Sequence, residues 1–166
     1  MMDRAPRRLT LCCCQPLQFT IQTTLARRLF EELGGADGVC YLYHDSYYKD
    51  ISHKTFEERA QTNFDHPDSL ETDLLLRHLK ELKAGEACQV PTYDFSTHSR
   101  TDVCIDMQPK RIIIVEGILL FTHAALVNEI DVKVFVVRQS GGRLEMMKFA
   151  RPWFDQLQFL LLDTGC

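Results

Sequence analysis

The chain has 166 residues, of which 45% are hydrophobic and 25% are charged, the composition of an ordinary soluble globular domain. Its net charge of −4, with both signs spread along the sequence, excludes the basic face of a nucleic-acid binder and a polybasic membrane patch. The seven cysteines form no CxxC pair, so we expect reduced thiols rather than disulfides or a zinc site.

The N-terminal stretch does not predict a membrane span. Met1–Leu11 carries three arginines before a short apolar run, faintly like a targeting peptide, but Gln15 and Pro16 interrupt that run. No stretch approaches the roughly 18 apolar residues that a spanning helix needs. We therefore expect a cytoplasmic protein without a membrane partner.

The first part of the chain predicts a strand, a helix and a second strand. Leu9–Cys14 is a candidate first strand. Leucines that recur every four residues predict a helix over Thr23–Leu33, whose first two threonines offer a cap and which two glycines end. The apolar run Gly38–Tyr43 then predicts a second strand, and the carboxylate of Asp45 follows it closely.

The middle of the chain alternates loops with regular elements. Ser46–Asp68 combines charges with many aromatic residues, which is more typical of a binding loop or lid than of a linker. Asp68–Ala84 has the pattern of an amphipathic helix, closed by a glycine. Gln89–Tyr93 and Val103–Met107 predict two strands of a hairpin, separated by a polar excursion of nine residues.

The segment around Ile112–Val115 organises the predicted fold. Four β-branched residues in a row predict a strand buried on both faces, and Glu116 stands where that strand ends. Thr122–Glu129 predicts a short helix and Val132–Val137 another strand. Strands that alternate with helices indicate parallel pairing in a layered α/β fold of one domain.

Two carboxylates, Asp45 and Glu116, each follow a predicted strand. In a parallel sheet they would emerge at the same edge, where ligands of open α/β sheets bind. Such a pair suits Mg²⁺ coordination, and one acid could also accept a proton from a hydroxyl group. The alternative is a pair of ordinary acids at strand ends that meet solvent.

Two loop segments combine flat rings with hydrogen-bonding side chains. They are Asn63–Pro67 and Tyr93–Arg100. This mixture fits a nucleobase and a ribose, because rings pack on the base while Asp and His side chains address hydroxyls or base edges. The alternative is that the rings anchor a lid to the core.

The order of four motifs resembles the uridine kinase (uridine-cytidine kinase) family. The motifs are His44–Lys49, Asn63–Asp68, Val90–Arg100 and Val115–Leu119. The resemblance runs from about Thr23 to Val136. It implies a P-loop NTPase-like parallel sheet flanked by helices, with a small nucleoside-binding hairpin insertion. It also implies transfer of the γ-phosphoryl group of ATP to uridine or cytidine, giving UMP or CMP in pyrimidine salvage.

The resemblance also implies a role for individual residues. Asp45 would be the base near the nucleoside 5′-hydroxyl and would hold Mg²⁺ together with Glu116 and the hydroxyl of Thr23. The expected nucleoside contacts are Asp65 on the ribose, Tyr93 and His98 on the pyrimidine, and Phe95 and Tyr48 along its pocket.

The sequence departs from the family at the phosphate-binding loop, where GxxxxGK[ST] should occupy positions 16–23. Pro16 and Ile21 stand at the glycine positions and Gln22 at the lysine position, while Thr23 is kept. Glycines let backbone N–H groups wrap phosphates, and glutamine cannot neutralise their charge. We expect a rate loss of ~10²–10³ or more, and therefore little or no ATP-dependent kinase activity.

The second departure begins at Val137. Arginines that the family places soon afterwards fall on Met146, Met147 and Ala150, of which the one at Met147 would contact the nucleoside. Leu144–Leu162 is apolar enough for a helix, although Pro152 would interrupt it. We therefore divide the chain into a divergent N-terminus (1–22), a uridine kinase-like domain (23–136) and a divergent tail (137–166) of a C-terminally truncated fold.

Two alternatives follow from these departures. The chain could be a catalytically silent pseudokinase that binds nucleoside or a paralogous subunit, and a homo-oligomer is compatible with the resemblance. Alternatively, the abrupt change at both ends indicates alternative splicing, intron read-through or a gene-model error, since slow decay would scatter substitutions.

Overall fold

The computed structural model describes residues 9–14, 19–138 and 144–150, and the side chains of Thr10 and of residues 26–134. The strands are β1 Leu9–Cys14, β2 Val39–Tyr43, β3 Cys88–Asp94, β4 Ser99–Met107, β5 Ile112–Glu116, β6 Val132–Arg138 and β7 Leu144–Ala150. The helices are α1 Phe19–Glu32, α2 Gly35–Gly38, α3 Phe56–Ala60, α4 Thr72–Ala84 and α5 Ala124–Glu129, and 3-10 turns cover His44–Tyr47, Pro67–Ser69 and Leu120–Thr122.

Five strands form one sheet in the order β2-β5-β1-β6-β7, and its first four strands are parallel. The strand over the four β-branched residues is confirmed as β5, which lies between β1 and β2. Alternate residues of β5 point to opposite faces: Ile113 and Val115 pack in the core cluster that includes α4 and α5, and Ile114 packs in the cluster that includes α1. All three are fully buried, so the prediction of a strand covered on both faces is confirmed.

Helix α1 begins four residues earlier than predicted. The predicted cap, Thr23 or Thr24, was wrong, because the helix already begins at Phe19 and both threonines lie in its interior. No glycine or proline between Phe19 and Thr24 opposes a helical backbone. Ala26 and Leu29 are buried against the sheet, and Gly34, with a φ of 101°, takes the left-handed conformation after the last turn.

Helix α4 begins at Thr72 rather than at Asp68. Pro67–Ser69 forms a 3-10 turn instead, and Leu70 is extended, forming an antiparallel bridge with Tyr48. The end of the helix is as predicted, since Gly85 closes it with a φ of 95°. Among the helices that the structure describes, none has the length and apolar character needed to cross a bilayer.

The predicted hairpin is present, but its strands are longer and its turn is shorter than predicted. Strands β3 and β4 pair antiparallel, and only Phe95–His98 remains between them. The carboxylate of Asp94 accepts hydrogen bonds from the Ser96 amide at 2.8 Å and from the Thr97 hydroxyl at 2.9 Å. These bonds make a compact turn, in which His98 has a positive φ of 51°.

The last described strand adds an antiparallel edge to the sheet. Leu144–Ala150 is a strand and not the beginning of a helix, and it pairs along its whole length with β6. Pairing satisfies the backbone groups that face β6, in an apolar segment for which sequence pattern alone does not distinguish strand from helix. Pro152 and Leu162 lie outside the described residues.

Candidate functional site

The two predicted carboxylates lie at one edge of the sheet. Strands β2 and β5 are neighbours whose ends are in register, with Tyr43 opposite Glu116, and Asp45 follows two residues later. Glu116 is buried. Burial, followed by the charge of Glu116, raises the pKa of Asp45 to about 6. The expectation that these carboxylates emerge together is confirmed, and their mutual repulsion makes the position favourable for a cation or a proton.

His44, which precedes Asp45, and Gly117, which follows Glu116, pack against each other beside the two carboxylates. His44 is buried, and its Nε2 is hydrogen-bonded to the Thr72 hydroxyl at 3.1 Å. Burial and the nearby His123 lower the pKa of His44 to about 4, so the ring is neutral near pH 7. A Cβ at Gly117 would lie 2.3 Å from the Cβ of His44. The residue after Glu116 therefore packs directly on the residue before Asp45.

Aromatic rings form the second part of the site. Tyr48 is buried, and its ring lies 5.2 Å from that of Phe64 and 5.1 Å from that of Tyr93. Phe64 in turn stacks on His98, with centroids 5.2 Å apart and ring planes at 18°. The structure thus brings Tyr48, from the loop after β2, together with Tyr93 and His98 of the hairpin. Phe64, which lies in a recognised motif but was not predicted as a site residue, joins them.

Asp65 and Phe95 lie at the outer limits of this aromatic cluster. Asp65 is exposed, yet its charge contributes to raising the pKa of Tyr48, after the larger effects of burial and of Asp45. Phe95 is 59% exposed and contacts Tyr93 edge-on at 5.2 Å. Phe95 therefore lies at the rim of the cluster rather than along its interior.

Comparison with known proteins assigns the family. The sequence model of the phosphoribulokinase / uridine kinase family matches residues 19–148. The chain belongs to this family. Uridine kinase from Staphylococcus aureus strain JH9 is 46% identical over 123 residues, which cover 74% of this chain and 59% of that protein. The uridine kinase of strain Newman matches equally well, so the chain spans about 59% of the length of these curated relatives.

Solved structures of kinases share the fold. The structure of a possible uridine kinase from Bacillus stearothermophilus is 20% identical, with a TM-score of 0.57 over 81% of this chain and 73% of that chain. A proposed fructose transport system kinase from Silicibacter sp. TM1040 is 20% identical, with a TM-score of 0.64 over 81% of this chain and 68% of that chain. At such identities the likeness concerns the fold alone, an α/β P-loop kinase fold.

Asp45 and Glu116 fit the Mg²⁺ ion that kinases of this family imply. The Oδ1 atom of Asp45 is buried and has no hydrogen-bond partner among the described residues, and the Glu116 carboxylate is close enough to raise its pKa. Within those residues, no three His, Cys, Asp or Glu side chains are arranged to hold a metal ion. Two carboxylates completed by water and phosphate oxygens are a usual Mg²⁺ arrangement. The side chain of Thr23 lies outside the described residues.

Two tyrosines of β2, which the sequence analysis did not predict, lie beside Glu116. The hydroxyl of Tyr41 donates a hydrogen bond to Oε2 of Glu116, and its ring lies 4.5 Å from that of Tyr43. Burial and Glu116 raise the pKa of Tyr43, while Arg27 of α1 lowers it. The signal was the period-two alternation of β2, which places residues 41 and 43 on one face.

Proposed function

We propose that this chain binds a pyrimidine nucleoside and presents its 5′-hydroxyl to the γ-phosphate of ATP, as in the phosphorylation of uridine or cytidine to UMP or CMP. The observation that carries the proposal is the position of Tyr48. Burial, followed by the charges of Asp45 and Asp65, raises the pKa of Tyr48, so its hydroxyl is near both the acid expected at the 5′-hydroxyl and the acid expected at the ribose. Membership of the uridine kinase family supports a nucleoside kinase.

Asp45 is the proposed base. Its pKa of about 6 leaves the carboxylate largely ionised at neutral pH, while keeping its proton affinity high enough to accept a proton from a hydroxyl group. With Glu116 it would hold Mg²⁺, and the ion would neutralise charge on the transferred phosphoryl group. Transfer of this kind depends mainly on positioning and charge neutralisation.

The aromatic cluster is the proposed nucleoside site. Tyr48 and Phe64 would pack on the pyrimidine, Tyr93 and His98 would read its edge, and Asp65 would accept hydrogen bonds from the ribose hydroxyls. In support, the Tyr93 hydroxyl is buried and has no partner within the described part of the chain. A bound base that hydrogen-bonds this hydroxyl would satisfy it.

The phosphate side is proposed to be impaired. Pro16 lacks an N–H, Ile21 adds a β-branched side chain, and Gln22 carries no charge, so the residues expected to cradle ATP are replaced. Positions 15–18 lie outside the described residues, and Ile21 and Gln22 have helical backbone in α1. The domain boundaries, between residues 22 and 23 and between residues 136 and 137, belong to the same proposal.

The second candidate is a nucleoside-binding pseudokinase, alone or with a paralogous subunit. The replacement of lysine by Gln22 favours it, because no positive charge remains at that position for the phosphates. The two candidates share the nucleoside site and differ only in phosphoryl transfer.

The test combines a binding assay with a transfer assay. Uridine binding is measured by calorimetry, and UMP formation with Mg-ATP is measured for the chain and for a Pro16→Gly/Ile21→Gly/Gln22→Lys variant. We expect both to bind uridine and the variant to turn over ~10²-fold or more faster. Rapid turnover by the unaltered chain would contradict the impaired phosphate side. Failure of the unaltered chain to bind uridine would contradict the nucleoside site.

A further inference from the structure

Three segments of the chain meet at the guanidinium group of Arg100, on β4. Its Nη1 donates to Oε2 of Glu71 at 2.5 Å, and its Nη2 donates to the carbonyl oxygen of Tyr48 at 2.6 Å. The Arg100 side chain is 18% exposed. One side chain therefore joins the hairpin, the loop after β2 and the residue before α4.

The two partners of Arg100 belong to a short backbone ribbon. The amide of Glu71 donates to the carbonyl of Tyr47 at 2.8 Å, and the amide of Lys49 donates to the carbonyl of Ser69 at 2.9 Å. Tyr48 and Leu70 form an antiparallel bridge between these bonds. The ribbon is thus held by its own hydrogen bonds, and Arg100 fastens the hairpin onto it.

Arg100 also lies directly across the hairpin ladder from Tyr93. Tyr93 packs against the ring of Tyr48 at 5.1 Å, while Arg100 binds the backbone of that same Tyr48. The arginine therefore lies opposite the residue that carries one ring and binds the backbone of the residue that carries the other. Arg59, which donates to the Thr97 carbonyl at 2.8 Å and to the Ser99 hydroxyl at 2.7 Å, fixes the far end of the hairpin separately.

The contact requires the forked shape of arginine. Two N–H groups on different nitrogens reach a carboxylate and a carbonyl at once, and the buried Nε atom has no partner within the described part of the chain. A lysine would keep the charge but could not present two donors in a fixed plane. Substitution by lysine therefore separates geometry from charge.

We propose that Arg100 is a positioning residue of the nucleoside site, which holds the Tyr93 ring against the Tyr48 ring and so sets the arrangement of the two rings that a pyrimidine would contact. It acts through Tyr48 and Glu71 and does not itself touch the nucleoside. The inference rests on the proposed nucleoside site, and it adds a determinant of base affinity outside the predicted set of contacts.

The test compares Arg100→Lys and Arg100→Ala with Arg77→Ala, which removes an exposed arginine paired to Glu81 at 3.9 Å on α4. We expect uridine affinity to fall about tenfold in both Arg100 variants and within twofold in Arg77→Ala. Millimolar methylguanidinium should recover part of the affinity of Arg100→Ala. Mn²⁺ binding, which reports on Asp45 and Glu116, should stay within twofold in all variants.

A second measurement reads the ring spacing without a ligand. Nuclear Overhauser contacts between the Tyr48 and Tyr93 ring protons should be present in the unaltered chain and in Arg77→Ala, and weaken in Arg100→Lys. If the unaltered chain binds no uridine, the proposed function fails, and these contacts still decide the role of Arg100. Unchanged contacts together with unchanged uridine affinity in Arg100→Lys would overturn the inference while leaving the proposed function intact.

Discussion

The proposed nucleoside side and the proposed phosphate side of the candidate site are built from different kinds of structure. The nucleoside side consists of side chains from segments far apart in the sequence, held by ring contacts and by arginines such as Arg100. The proposed phosphate side consists of Glu116 at the end of β5, Asp45 in the turn after β2, and positions 16–23. The difference teaches that binding and transfer would be separable in the proposed site, because the replacements at positions 16, 21 and 22 leave the contacts around Tyr48 in place.

The largest expected effect comes from Asp45→Asn, which would separate transfer from binding most sharply. In the chain with Gly, Gly and Lys restored at positions 16, 21 and 22, losing the proposed base should lower kcat for UMP formation by ~10³. Uridine affinity should change less than fivefold, because Asp45 is expected to contact the reacting 5′-hydroxyl rather than the nucleobase. Asp50→Asn, an exposed acid five residues later, is the matched control. Equal losses of kcat in both variants would refute the role of Asp45.

Gly117→Ala should disturb the packing of β5 on the turn after β2, which carries Asp45 and leads into Tyr48. The added Cβ would lie 2.3 Å from the Cβ of His44, so β5 and the turn after β2 must move apart. We expect the free energy of unfolding to fall by about 3 kcal/mol, measured by urea denaturation. His44→Gly in the same chain removes the opposing atom and should recover part of that loss. A loss under about 0.5 kcal/mol would show that the turn yields freely.

Local sequence patterns predicted the strand that ends at Glu116 better than they predicted the contacts that form the aromatic cluster. The β-branched run of β5 and the position of Glu116 follow from composition over a few residues, because such a strand has few alternatives. The full length of the hairpin strands was not predicted, because the short turn between them depends on hydrogen bonds to the Asp94 side chain. The contact between Arg100 and Tyr48 joins residues 52 positions apart, and no local pattern encodes it.

The pH dependence of stability should test the contact between Tyr47 and His78, which lies next to Tyr48 of the proposed nucleoside side. The Tyr47 hydroxyl is hydrogen-bonded to Nδ1 of His78 at 3.1 Å, and the Tyr47 carbonyl accepts a hydrogen bond from the Glu71 amide in the ribbon that carries Tyr48. Burial lowers the pKa of His78, with Arg77 acting in the same direction and Glu81 against it. A folded-state pKa below the unfolded value means that the unfolded chain binds more protons at acid pH, so stability is lost as the pH falls below about 6.5.

The measurement is the melting temperature between pH 7 and pH 5. We expect His78→Gln, which cannot titrate, to lose several degrees less over this range than the unaltered chain, since roughly 1 kcal/mol shifts the melting temperature by a few degrees. The buried His44, with a pKa of about 4, acts in the same direction and remains in both proteins. His53→Gln, at an exposed histidine, should retain the full dependence. Identical pH profiles for all three proteins would contradict the prediction.

Tyr41→Phe should have the smallest effect, confined to the phosphate side. The change removes the hydroxyl that donates to Glu116 while keeping the ring packed between Phe30 and Tyr43. A carboxylate that loses a hydrogen-bond donor holds a cation more strongly, so Mn²⁺ affinity measured by electron paramagnetic resonance should rise about threefold. Tyr43→Phe keeps that donor and serves as the control, and uridine affinity should be unchanged in both. Weaker Mn²⁺ binding in Tyr41→Phe would mean instead that the hydroxyl holds Glu116 in the orientation that the ion needs.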